Sequence, residues 1–151
     1  MTAVSFYHLQ GAPLERALPR LMDRVLKSGL RAVILAASDE RVDQLNALLW
    51  TFDPGSFLAH GTAEDGFGGD QPVYLTTEEE NPNGAAVLVL VDGVDPAYKS
   101  EFERCLDLFD GKDAAAVTAA RERWRAAQSA GHEVTYWKQD DAGRWQEAAG
   151  A

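Results

Sequence analysis

The sequence predicts one α/β domain with a mostly parallel central sheet and helices on both faces. Three observations carry that expectation. First, Ala32–Ala36 and Ala85–Val91 are short, unbroken apolar runs, the pattern of parallel strands buried on both faces. Second, stretches with apolar residues at helical spacing separate the strand-like segments, and such alternation builds layered α/β folds. Third, 151 residues with 46% hydrophobic composition are enough for one sizeable core. The whole chain, 1–151, is expected to form that single domain, with about 140–151 as a C-terminal hairpin or tail.

In order, Ala3–His8 is rich in β-branched and aromatic residues and reads as the first strand. Gly11 and Pro13 end it, and Pro13 suits a helix start. Leu14, Leu18, Leu21, Met22, Val25 and Leu26 form a helical stripe that Gly29 stops, with Pro19 inside it. Arg31–Ala36 is the second strand. Ser38 is placed to cap a second helix whose stripe is Val42, Leu45, Leu48 and Leu49. From Trp50 to Gly61 runs an aromatic connector with a turn at Pro54-Gly55, followed by a polar, glycine-containing loop over 62–70. Gln71–Thr76 and Ala85–Val91 are the next strands. Phe102, Cys105, Leu106 and Phe109 fall at helical spacing and predict a helix over Ala97–Leu108. Asp113 is placed to cap a long helix, Ala114–Ala130, and Glu133–Gln139 with Arg144–Glu147 reads as a strand and terminal hairpin.

Charge narrows the function classes. The chain carries 14 Lys and Arg against 24 Asp and Glu, a net charge of −10. No Lys or Arg occurs between Arg41 and Lys99, where Asp and Glu recur, so this middle third opposes a phosphate backbone. Direct nucleic-acid binding is not expected. Charges interrupt every apolar run, so no membrane span is expected. One cysteine, Cys105, and no signal-peptide pattern suggest a reduced, cytoplasmic setting.

Catalytic and cofactor motifs are weak. The chain contains no G-x-G-x-x-G and no G-x-x-x-x-G-K-[ST], so a nucleotide-binding topology here would lack its phosphate loop. His8, His60, His132 and Cys105 lack metal-ligand spacing, and Ser56 lacks a nucleophile-elbow context. No cofactor, metal or catalytic residue is expected. Two clusters remain. Trp50, Phe52, Phe57 and Leu58 put four large apolar groups in a nine-residue connector, either core cover at a sheet edge or a surface for a protein partner. Arg121, Arg123 and Arg125 surround Trp124 on the long helix, with Val117, Arg121 and Trp124 sharing one face. By periodicity alone this is a solvated helix face with Trp124 as a core anchor. The alternative is a cleft in which Trp124 is an apolar wall and guanidinium groups clasp carboxylates bidentately.

Several of these segments occur in a familiar order and spacing: Phe6-Tyr7-His8-Leu9, the block from Leu45 through Trp50, Pro54, Ser56, Phe57 and His60 to Gly61, Gln71–Thr76, Phe109–Gly111, Ala120–Arg125 and Tyr136-Trp137. Together they resemble the chi subunit of bacterial DNA polymerase III holoenzyme over nearly the whole chain. The resemblance implies a nucleotide-binding-like fold without nucleotide and a non-enzymatic accessory role in the clamp loader. It implies two partners: the psi subunit or another clamp-loader subunit, and the acidic C-terminal tail of single-stranded DNA-binding protein, which ends in phenylalanine. By motif position, Trp50, Pro54, Phe57 and His60 fall on the psi-facing surface. Arg121, Trp124 and Arg125 fall in the tail site. Where the family has a basic residue one turn before the arginine this chain has Val117, and Lys112 offers a substitute charge. The rival readings are a small nucleotide-dependent enzyme and a direct single-stranded DNA binder.

Overall fold

A computed structural model of the chain describes residues 2–10, 13–51, 60–62, 72–140 and 144–148. Its centre is an eight-stranded sheet in the order β3-β4-β2-β5-β6-β1-β7-β8. The strands are β1 (Ala3–Leu9), β2 (Ala32–Leu35), β3 (His60–Thr62), β4 (Val73–Thr76), β5 (Val87–Leu90), β6 (Arg104–Asp110), β7 (Glu133–Gln139) and β8 (Trp145–Ala148). Every neighbouring pair is parallel except β7–β8, which forms the terminal antiparallel hairpin.

Alternation along the strands divides the core in two. Leu9, Ile34, Leu75, Val89, Leu106 and Leu108 face helices α1 (Leu14–Lys27) and α2 (Asp39–Thr51). Val4, Phe6, Val33, Leu88, Cys105, Phe109 and Tyr136 face helix α3 (Ala114–Ser129). Helices therefore cover both faces of the sheet, as two buried faces of apolar strands require. Pro19 sits inside α1 without ending it, one turn into the helix.

One expected element is different. The predicted helix over Ala97–Leu108 is a 3-10 turn, Ala97–Glu101, followed by the central strand β6. In β6, Cys105 and Phe109 face α3 while Leu106 and Leu108 face α1 and α2. A strand buried on both faces loses its two-residue period, so its apolar positions also fit a helical stripe. β3 is a second difference: a three-residue strand at the end of the aromatic connector, held by pairing with β4.

The chain order creates a topological switch. From β1, α1 leads towards β2 over one face; from β6, α3 leads to β7 over the other. The carboxyl ends of adjacent β1 and β6 thus open a crevice, the place where open α/β sheets bind ligands. A cavity of about 860 Å³ lies there, bordered by Leu9 and Gln10, Pro13 to Glu15, Asp92, Phe109 and Asp110, by Lys112 just before α3, and by Ala116 and Arg123 on it.

Candidate functional site

Helix α3 is built to stand close to the sheet. Asp113 caps it, accepting from the Ala115 and Ala116 amides at 3.0 and 3.4 Å. At the far end Gly131, at φ +84°, reverses the chain, and the His132 amide donates to the Ala127 carbonyl at 3.1 Å. Ala120, Arg123 and Ala127 form the buried line. The two alanines let the helix approach the strands, and Arg123 fills the space between them.

Arg123 is not a surface arginine. Its Nε and Nη2 donate to the two oxygens of Asp107 on β6 at 2.7 and 3.0 Å, with both side chains under 10% exposed. Burial pushes the Asp107 carboxyl up, and the guanidinium pulls it back only in part. This bidentate pair locks α3 to the sheet and removes Arg123 from the basic face that the sequence had suggested.

Arg121, Trp124 and Arg125 lie together on one flank of α3. Arg121 and Arg125 are exposed, one turn apart, and Trp124 is half-buried between helix and sheet. The Trp124 ring meets Phe6 edge-on at 5.6 Å and Tyr136 at 5.7 Å and 85°. Val117, also half-buried, packs on the same apolar cluster.

Beside this flank lie residues that sequence reasoning did not choose as site residues. Tyr136 Oη lies 2.6 Å from His8 Nδ1, and Lys138 Nζ sits 5.8 Å from the Tyr136 ring centroid. Gln10 Nε2 lies 3.1 Å from His8 Nε2, and the Gln10 backbone N–H donates to Gln139 Oε1 at 2.9 Å. The Arg121 charge acts on both His8 and Tyr136. Arg121 and Lys138 therefore both lie near the His8–Tyr136 pair. Burial, then the Lys138 charge, lowers the His8 pKa, and Arg121 adds to the lowering; burial raises that of Tyr136. The signal available in the sequence was period two: Tyr136 and Lys138 share a face of β7.

Lys112 lies apart from this group. It lines the switch-point cavity on the opposite flank of α3, with its amide donating to Asp110 Oδ1 at 2.9 Å. That cavity brings Glu15, Asp92, Asp110 and Asp113 together with Arg41, Lys112 and Arg123. Arg41 pairs with Asp92 at 3.0 Å, Arg123 with Asp107, and Asp113 already occupies the α3 amides. The carboxylates and the occupied helix start oppose a phosphate group.

Of the aromatic connector, Pro54 and Phe57 lie outside the described residues. Trp50 falls in the last turn of α2, and His60 begins β3, the edge strand of the sheet. Among the described residues no cluster of three or more His, Cys, Asp or Glu side chains could hold a metal ion. No described helix is long and apolar enough to cross a membrane.

A family model described as DNA polymerase III chi subunit, HolC, matches residues 1–135. The chain belongs to the DNA polymerase III chi subunit family. It is 32% identical over 109 residues to the probable DNA polymerase III subunit chi of Rickettsia prowazekii, an alignment covering 72% of this chain and 66% of that protein. It is 26% identical over 135 residues to the DNA polymerase III subunit chi of Pseudomonas aeruginosa, covering 87% of this chain and 93% of that one. The matched span ends at residue 135, ahead of most of β7 and all of β8, so Tyr136 and Lys138 lie past it.

Proposed function

We propose that this chain is a non-catalytic accessory subunit of the replicative DNA polymerase III clamp loader. In this reading it links that assembly to single-stranded DNA-binding protein by capturing the acidic C-terminal tail. Membership of the chi family supports the setting. The observation that carries the site is the pairing of exposed Arg121 and Arg125 with the half-buried Trp124 on one flank of α3.

The proposed chemistry is peptide capture. Arg121 takes the terminal carboxylate, and a guanidinium fork matches a carboxylate bidentately. Trp124 and Val117 offer an apolar wall to the terminal phenylalanine ring, while Arg125 attracts the acidic residues before it. Lys112 would reach such a ligand only around the helix start. The Trp50–His60 stretch, with Pro54 and Phe57, serves as the second surface, for psi or another clamp-loader subunit.

The test is a titration of a labelled acidic peptide ending in phenylalanine against the wild type and Arg121→Ala. Loss of a hot-spot arginine costs roughly 2 kcal/mol, or about thirtyfold in Kd. Equal affinities for the two proteins would remove the site assignment, and no binding by the wild type would remove the function.

A further inference from the structure

Near the exposed Arg121 and Lys138 sits an ionisable group that tail capture does not itself employ. His8 is 6% exposed. Its ring is held edge-on by Phe109 at 5.1 Å and by Tyr136 at 5.9 Å. Gly111 closes the other side so tightly that a β-carbon there would overlap the imidazole. The ring cannot swing away, so its charge state must be settled where it stands.

The charged groups that face it come from three elements. Lys138 on β7 and Arg121 on α3 oppose an imidazolium, and Asp110 at the end of β6 favours one. The Gly111 backbone also favours the charged ring, while Tyr136 and Gln10 contact its two nitrogens. With burial, the largest contribution, the balance lowers the His8 pKa and favours the neutral ring. Two of the opposing contributions belong to exposed cations, Arg121 and Lys138.

We propose that binding of an acidic, carboxylate-terminated peptide across Arg121 and Lys138 is coupled to protonation of His8. This rests on reading this flank of α3 as a peptide site. Ligand carboxylates seated on the two cations offset their repulsion and attract a positive ring beneath them. The complex then takes up a proton more readily than the free protein does, and by linkage the peptide is held more tightly as pH falls. The window lies at and below the ordinary imidazole value of about 6.5, and above the titration of the peptide's own carboxylates at about 4. Each unit by which the peptide raises the His8 pKa gives up to about tenfold in affinity across that window.

Two measurements test this. Peptide affinity is followed by anisotropy from pH 7.5 to 5.5 at fixed ionic strength, for the wild type, Arg121→Ala and His8→Gln. The expected result is a rise in wild-type affinity towards low pH that His8→Gln lacks. The His8 imidazole proton is then titrated by NMR in the full-length wild type, with and without the peptide, and its midpoint is expected to move up when the peptide is present. The NMR arm needs no variant, so it stands even if His8→Gln does not fold. Binding that depends on Arg121 while the His8 midpoint stays fixed, or equal pH profiles for wild type and His8→Gln, overturns the coupling and leaves the peptide site. Absence of binding at every pH overturns both.

Discussion

Arg123 grips both carboxylate oxygens of Asp107 through its Nε and Nη2, at 2.7 and 3.0 Å, beneath the helix whose outer flank carries Arg121 and Arg125. Three arginines at alternate positions therefore have two different tasks. The middle one fixes the height and rotation of α3, and the outer two are presented to solvent because it does so.

Removing one partner of this pair leaves the other charge buried and unmatched. Arg123→Ala and Asp107→Ala are each expected to lower stability by about 3–5 kcal/mol. Urea denaturation of the two single variants checks this, and a loss below about 1 kcal/mol in both would contradict a locking role. Replacing both residues together by apolar side chains of similar volume should cost less than the sum of the singles.

Gly111 lies where the end of β6 turns against the end of β1, its amide donating to the Leu9 carbonyl at 2.8 Å. An added β-carbon would stand 2.7 Å from that carbonyl oxygen and run into the His8 ring. Gly111→Ala is expected to cost about 1–3 kcal/mol, as overpacking does. It should also shift the Tyr136 side-chain resonances by NMR. An unchanged Tm would show that the His8 ring yields freely.

The His8 imidazole has a folded-state pKa below its ordinary value. The unfolded chain therefore binds a proton first as pH falls. This contribution to stability is complete above about pH 6.5 and is lost as pH drops from there through the folded pKa. Thermal melts of the wild type should fall across that interval more steeply than those of His8→Gln. Parallel melting profiles would assign the acid sensitivity to other groups.

Cys105 faces α3 from the central strand with no exposed surface, and burial pushes its thiol up to about 12. A thiolate is the reactive form, so the folded protein is expected to resist a thiol reagent at pH 8 and to react only on unfolding. Rapid labelling without denaturant would contradict this placement.

Much of the fold could be read from local pattern. β2 and β5 appear as unbroken apolar runs because both faces of the sheet are covered, and α3 shows its cap, Asp113, and its stop, Gly131. β6 could not be read in this way. Asp107 interrupts its apolar run and mimics the exposed position of a helix, because the group that makes its burial tolerable, Arg123, lies 16 residues later and across a tertiary contact. The same pairing hid the division of labour among the arginines: local spacing gives Arg121, Arg123 and Arg125 equal standing, and only the closely approaching Ala120 and Ala127 mark Arg123 as inward. Tyr136 and His8 meet through the parallel pairing of β7 with β1, 128 residues apart, which no local window contains.

The hairpin partner β8 has a consequence for how anything docks beside α3. A bare β7 would offer a row of free amides and carbonyls, an invitation for an extended segment to join as another strand, with little regard for its side chains. With Tyr136 to Gln139 already paired to Trp145–Ala148, that backbone route is closed along this part of β7. A peptide at the site proposed on the neighbouring flank of α3 would have to be recognised by its side chains and terminus rather than by strand addition to this part of β7.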